Sequence, residues 1–161
     1  MRLSRESMPR EEIHEKWARK YGIDPVIARE VSKMVSSRTP HDLGTNVIIN
    51  EDILEEAMKK YGYNGYAACL LHHALDYIAW WIIGEGPFKK PLKIEILERR
   101  LYQMIPHSKR DNMEIMRILL NVVEFIKSHF KDIVKDIQLE KQKALMDIAK
   151  SVRSLRNAGN A

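Results

Sequence analysis

The sequence predicts an all-α protein: a helical bundle with an extended N-terminal helical arm and a long C-terminal helix. Three observations carry this expectation. The 161 residues include only 7 Gly and 6 Pro, and these cluster between apolar runs. Within the runs, apolar residues recur at three- and four-residue spacing, the period of a helix buried on one face. From Asp111 to Arg156 there is neither Gly nor Pro.

Taken in order, Ser7 and Pro9 open a first helix that runs to about Tyr21, and Gly22 ends it. Asp24 caps a second helix, with Pro25 at its first position. It reaches about Ser36, with Ile27, Val31, Met34 and Val35 on one face. Residues 37–49 contain Pro40 and Gly44 and read as an extended connector. Asn50 caps a third helix, with Glu51 and Asp52 favoured by the helix dipole. Lys59, Lys60 and Gly62 end it. Tyr63-Asn64-Gly65 reads as a turn, in which Gly65 supplies a permissive backbone. Tyr66–Ile83 is apolar around most of its circumference and should be the central core helix. Gly84-Glu85-Gly86-Pro87 closes it. Pro91 begins a helix to about Ile105, and Pro106-His107-Ser108 interrupts the chain again.

The uninterrupted run from Asp111 to Arg156, as a single helix, would be about 69 Å long at 1.5 Å per residue. Its apolar side chains thin out after Lys131, so its second half should project and pack on another subunit. The expected organisation is therefore an arm (1–49), a bundle core (50–130) and a projecting basic helix (131–161).

The chain carries a net charge of +5, has a pI near 9.3 and is 45% apolar. The apolar share excludes a wholly disordered chain. The positive charge favours an anionic partner and sits at the ends. Lys141, Lys143, Lys150, Arg153 and Arg156 face only Asp147 in the last segment. Cys69 is the only cysteine, so no intrachain disulfide exists, which favours a reducing compartment. The N-terminus does not read as a signal peptide. The most apolar segment, Ala67–Ile83, contains His72, His73 and Asp76 and is shorter than the roughly 20 residues that span a bilayer.

His41-Asp42, His72, His73 and Asp76 are the candidates for chemistry. His72 and Asp76 stand four apart, on one face of a helix. An adjacent His-Asp with further His and Asp is the raw material of a metal-dependent phosphohydrolase of the HD type, whose neutral imidazoles and carboxylates converge on metal. Here His41-Asp42 follows Pro40 in a connector, whereas that family carries the pair on a core helix. No nucleophile signature, phosphate-cradling loop or metal-binding Cys pair is present.

A nucleic-acid signal is spread over the first two helices. Arg10, Lys16, Arg19 and Lys20, with Trp17 and Tyr21 among them, are followed by Arg29, Lys33 and Arg38. Such cations can neutralise phosphates and release counterions. Glu11, Glu12 and Glu15 favour an ordinary solvated face instead. A helix-turn-helix over 10–36 is conceivable, but Arg29, Ser32 and Lys33 are thin material for reading bases.

Five segments occur in order: Lys16-Trp17-Ala18-Arg19-Lys20-Tyr21, Asp24-Pro25-Val26-Ile27-Ala28, Gly44-Thr45-Asn46-Val47, Tyr61-Gly62-Tyr63-Asn64-Gly65 and Gly84-Glu85-Gly86-Pro87. Their order and spacing resemble the major capsid proteins of rod-shaped and filamentous archaeal double-stranded DNA viruses. The resemblance implies a non-enzymatic coat subunit without metal or cofactor, assembled in the host cytoplasm and resident in the virion. It implies pairing with an identical or paralogous chain, a filament around A-form DNA, and a lipid envelope on the outer face. It makes Arg10, Lys16, Arg19, Lys20, Arg29, Lys33 and Arg38 phosphate contacts, independent of base sequence. Trp17 and Tyr21 would lie close to the DNA. The chain departs from the rod-shaped members in its longer, charged C-terminal part and its wealth of Lys and Glu.

Overall fold

A computed structural model describes residues 11–37, 51–83 and 92–159. These form five helices: α1 (Glu11–Tyr21), α2 (Pro25–Ser36), α3 (Glu51–Ile83), α4 (Ile94–Met104) and α5 (Met113–Gly159). A single 3-10 turn, His107–Lys109, precedes α5. No strand occurs among the described residues, and the all-α bundle with a long C-terminal helix is what the sequence predicts. Arg10, Arg38, His41 and Asp42 lie outside the described residues.

The N-terminal punctuation acts as read. Gly22 takes φ 108°, a conformation costly for a residue with a side chain. Its amide donates to the Ala18 and Arg19 carbonyls, closing α1. Asp24 caps α2 by accepting from the Val26 amide at 2.8 Å. The two helices do not stand away as an arm, however. Trp17, Ala18, Ala28, Val31 and Val35 are buried in the same core as α3 and α5. Burying Trp17, only 1% exposed, gives α1 a reason to dock rather than extend.

The break in α3 is shorter than the sequence suggests. Gly62 alone is non-helical, at φ 69° and ψ −156°, and residues 63–65 belong to the helix that follows. The permissive backbone is thus at Gly62. Gly65 has a packing role: a Cβ there would stand 2.5 Å from the Ala57 carbonyl oxygen and 2.7 Å from Tyr61 Cβ. Beyond this kink, residues 65–80 are buried on every side, so the second limb of α3 is the bundle axis.

Helix α4 begins at Ile94, later than Pro91 suggests, and buries Leu97, Leu101 and Met104. Asn112 caps α5, its side-chain oxygen accepting from the Glu114 and Ile115 amides at 3.0 and 3.2 Å. Ile115, Leu119, Val122, Val123 and Ile126 pack in the core, and so do Ile133 and Ile137. The projecting part therefore starts after Glu140, not at Lys131. There the Lys141 ammonium donates to the Ile82 carbonyl at 3.1 Å, a cation on the last turn of α3. Residues 149–159 are exposed throughout. Among the described residues no helix is long and apolar enough to cross a membrane.

Candidate metal centre

One turn of α1 places His14 beside the buried Trp17 and Ala18, facing α3. On α3, His72 and Asp76 are one turn apart and face α1. The His14 Nε2 lies 3.0 Å from Asp76 Oδ1, and the His72 Nε2 lies 3.2 Å from Asp76 Oδ2. The two imidazoles are stacked, 3.8 Å between centroids and 6° from parallel, because both turn an edge to one carboxylate. All three side chains are buried: His14 and His72 are 6% exposed and Asp76 is 8% exposed. Helix α2 adds Ser32, whose Oγ is 3.2 Å from His72 Nδ1.

Around this cluster stand small residues together with Leu71 and Leu75. Ala18, Ala28 and Ala68 line a cavity of about 10 Å³ with His14, Ser32 and His72. That is about the room one water needs. His14 Nδ1 is buried and has no hydrogen-bond partner among the described residues.

The electrostatics favour ionised carboxylate and neutral imidazole. Burial alone would raise Asp76, but the adjacent His72 and His14 rings overcome it and hold the carboxyl well below the usual range. Burial lowers His72, and His14 beside it lowers it further; Asp76 opposes both without reversing them. A neutral imidazole and an ionised carboxylate are the forms that ligate metal.

No protein family, curated protein or solved structure matches this chain. One nitrogen from each of His14 and His72 and one Asp76 oxygen all lie within 4.8 Å of one another. Two imidazoles and a carboxylate suit a first-row transition ion with bonds of about 2.0–2.2 Å. Ser32 is placed to accept from His72 Nδ1–H once Nε2 is a ligand, the outer-shell partner that fixes a ligating ring. A hydroxyl can donate or accept, so Ser32 suits either tautomer.

Of the sequence candidates, the structure brings together His72 and Asp76 and adds His14, which sequence reasoning passed over. It does not bring in His73. That ring is buried against its own helix, with Nδ1 2.8 Å from the Cys69 carbonyl oxygen. Both adjacent histidines are buried. Both spacings, three and four residues, lie near the face of Asp76, but it is His72 whose ring turns to the carboxylate, while His73 turns back to its own helix.

The surface candidates are scattered. Lys16 pairs with Asp136 at 2.7 Å, Arg29 with Glu15 at 3.2 Å and Lys33 with Glu30 at 3.5 Å. Exposed pairs of this kind hold their partners weakly. Arg19 and Lys20 are exposed, and the Lys20 ammonium lies 5.1 Å over the Trp17 ring. Trp17 is a core residue, 1% exposed. Its indole N–H donates to Asp136 at 3.1 Å, so its ring is not open to a nucleic acid. Tyr21 is half-buried and packs edge-on against Phe125.

Proposed function

We propose that this protein is a metal-dependent phosphohydrolase, with a divalent transition ion held by His14, His72 and Asp76. One observation carries the reading: residues 58 to 62 positions apart in sequence converge, buried, on one point between α1 and α3. Leaving three polar side chains in an apolar bundle is costly unless they satisfy one another or a ligand. When bound, the ion would polarise a phosphoryl oxygen and lower the pKa of a bound water. The chain's own part is to supply the ligands, to orient His72 through Ser32, and to hold Asp76 ionised.

The test is metal analysis of the purified full chain, followed by titration with Zn²⁺, Mn²⁺, Ni²⁺ and Co²⁺ and an assay on bis(p-nitrophenyl) phosphate. Stoichiometric metal and metal-dependent hydrolysis are expected, both lost in His14→Ala and Asp76→Asn. A folded chain that binds none of these ions would overturn the reading.

A second reading rests on a different observation, the basic stretch from Lys141 to Arg156 beyond the bundle. In it the chain is a non-enzymatic subunit that coats double-stranded DNA in a filament. Electron microscopy with long random-sequence DNA at low salt tests it. Regular nuclease-resistant filaments would support it, and naked DNA beside discrete particles would dismiss it.

A further inference from the structure

The free part of α5 has two unlike faces. Leu145, Ile148, Val152 and Leu155 follow one another at spacings of three, four and three, the a and d positions of a heptad. Leu145, Val152 and Leu155 are exposed, Leu155 by 73%, and Ile148 is half-buried. The positions flanking this seam are Ala144, Ala149, Ser151, Arg156 and Ala158, small and with one charge among them. Lys143, Asp147, Lys150 and Arg153 fall at the outer b, c and f positions.

Residues 141–159 extend about 28 Å at 1.5 Å per residue. A helix of that length with one side in water is marginal alone, and an uncovered seam of Leu, Ile and Val adds to its cost. Something must cover it for the helix to persist.

We infer that a second copy of this chain does, through a two-helix pairing of the α5 tails. Charge decides between occupants. The tail is basic, so two copies would repel if their cations faced one another across the seam. They do so at one flanking position only, Arg156, because neutral Ala and Ser occupy the other four and Lys143, Lys150 and Arg153 are turned outward. A membrane surface fits less well. Helices that lie in the lipid interface present a broad apolar face carrying aromatic residues. This seam is two positions wide per heptad, and residues 141–159 contain no aromatic residue. Small flanks also let two backbones approach closely. The inference is independent of the metal centre, because Glu140 is the last buried residue before the free segment.

Sedimentation equilibrium of the full chain, from about 1 to 100 μM, tests it. A monomer–dimer equilibrium is expected. The double variant Leu145→Glu, Val152→Glu should be monomeric across the range, with the thermal unfolding of the bundle unchanged. Both substitutions lie outside the core and keep good helix formers, so misfolding does not confound the result. A wild-type chain that stays monomeric at 100 μM overturns the inference, and so does a dimer that survives the double substitution. If the tail gains helicity only with anionic vesicles or DNA fragments, another surface covers the seam and self-pairing is wrong.

Discussion

Around His72 three polar side chains lie inside an apolar bundle, while along residues 145–155 a row of apolar side chains lies outside it. The first region is polar where burial is complete, and it persists because one carboxylate, Asp76, sits 3.0 and 3.2 Å from two imidazole nitrogens at once. The second is apolar on the side that meets water, with Leu145, Val152 and Leu155 left exposed among the described residues. Both violate the ordinary sorting of side chains, in opposite directions. Such violations mark places where a fold is shaped by something besides its own stability. As proposed, a small ligand would complete one region and a second surface the other.

The sharpest way to break the comparison is to remove its polar centre. Asp76→Ala leaves two buried imidazole edges without their acceptor and should cost about 3–5 kcal/mol in urea unfolding, the scale for breaking a buried pair. A loss below about 1 kcal/mol would mean that water reaches the cluster.

Acid probes the same centre without mutation. His72 is held below its ordinary value of 6.5, so the unfolded chain takes up that proton first. Its share of stability is complete above pH 6.5 and is lost as the pH falls below. Asp76, held below its ordinary 3.8, contributes stability that is present above that value and lost beneath it. With a chelator present, Tm should fall from pH 7.5 to 5.5. A flat or rising Tm would sink the assignment of a neutral His72.

Gly65→Ala comes next. Its methyl group would meet the Ala57 carbonyl and Tyr61 Cβ inside normal contact, an overpacking worth about 1–3 kcal/mol. A neutral result would show that the Gly62 kink can open to make room.

The smallest effect belongs to the other region. Deleting residues 143–161 should change the bundle's unfolding free energy by no more than about 0.5 kcal/mol, the range of exposed changes. A larger loss would mean that the tail folds back on the bundle.

Helix boundaries were legible where one residue has one physical use. Asp24-Pro25 starts α2 and Gly22 ends α1, each by the mechanism its chemistry suggests. The kink was not legible at its true extent, because Gly62 and Gly65 look alike in a string of letters. One supplies a positive φ, the other the absence of a Cβ. The four-residue spacing of His72 and Asp76 did carry the site's α3 half. His14 was hidden among charges, in Glu11-Glu12-Ile13-His14-Glu15-Lys16. Its signal was its distance from Trp17 and Ala18: three and four residues put all three on one face. Counting backwards from the tryptophan would have found it. The docking of α1 was missed for a related reason, since the cations that suggested an arm flank the residues that bury it.

The bonds from Lys16 and Trp17 to Asp136 reach across 120 and 119 positions of the chain. A ribosome adding about 5–20 residues per second needs roughly 6–24 s to cover that interval. Throughout it, the first helix to emerge lacks its anchor on the last. The order of synthesis thus leaves the N-terminal helix to be latched late, after the scaffold that carries His72 and Asp76 has already been made.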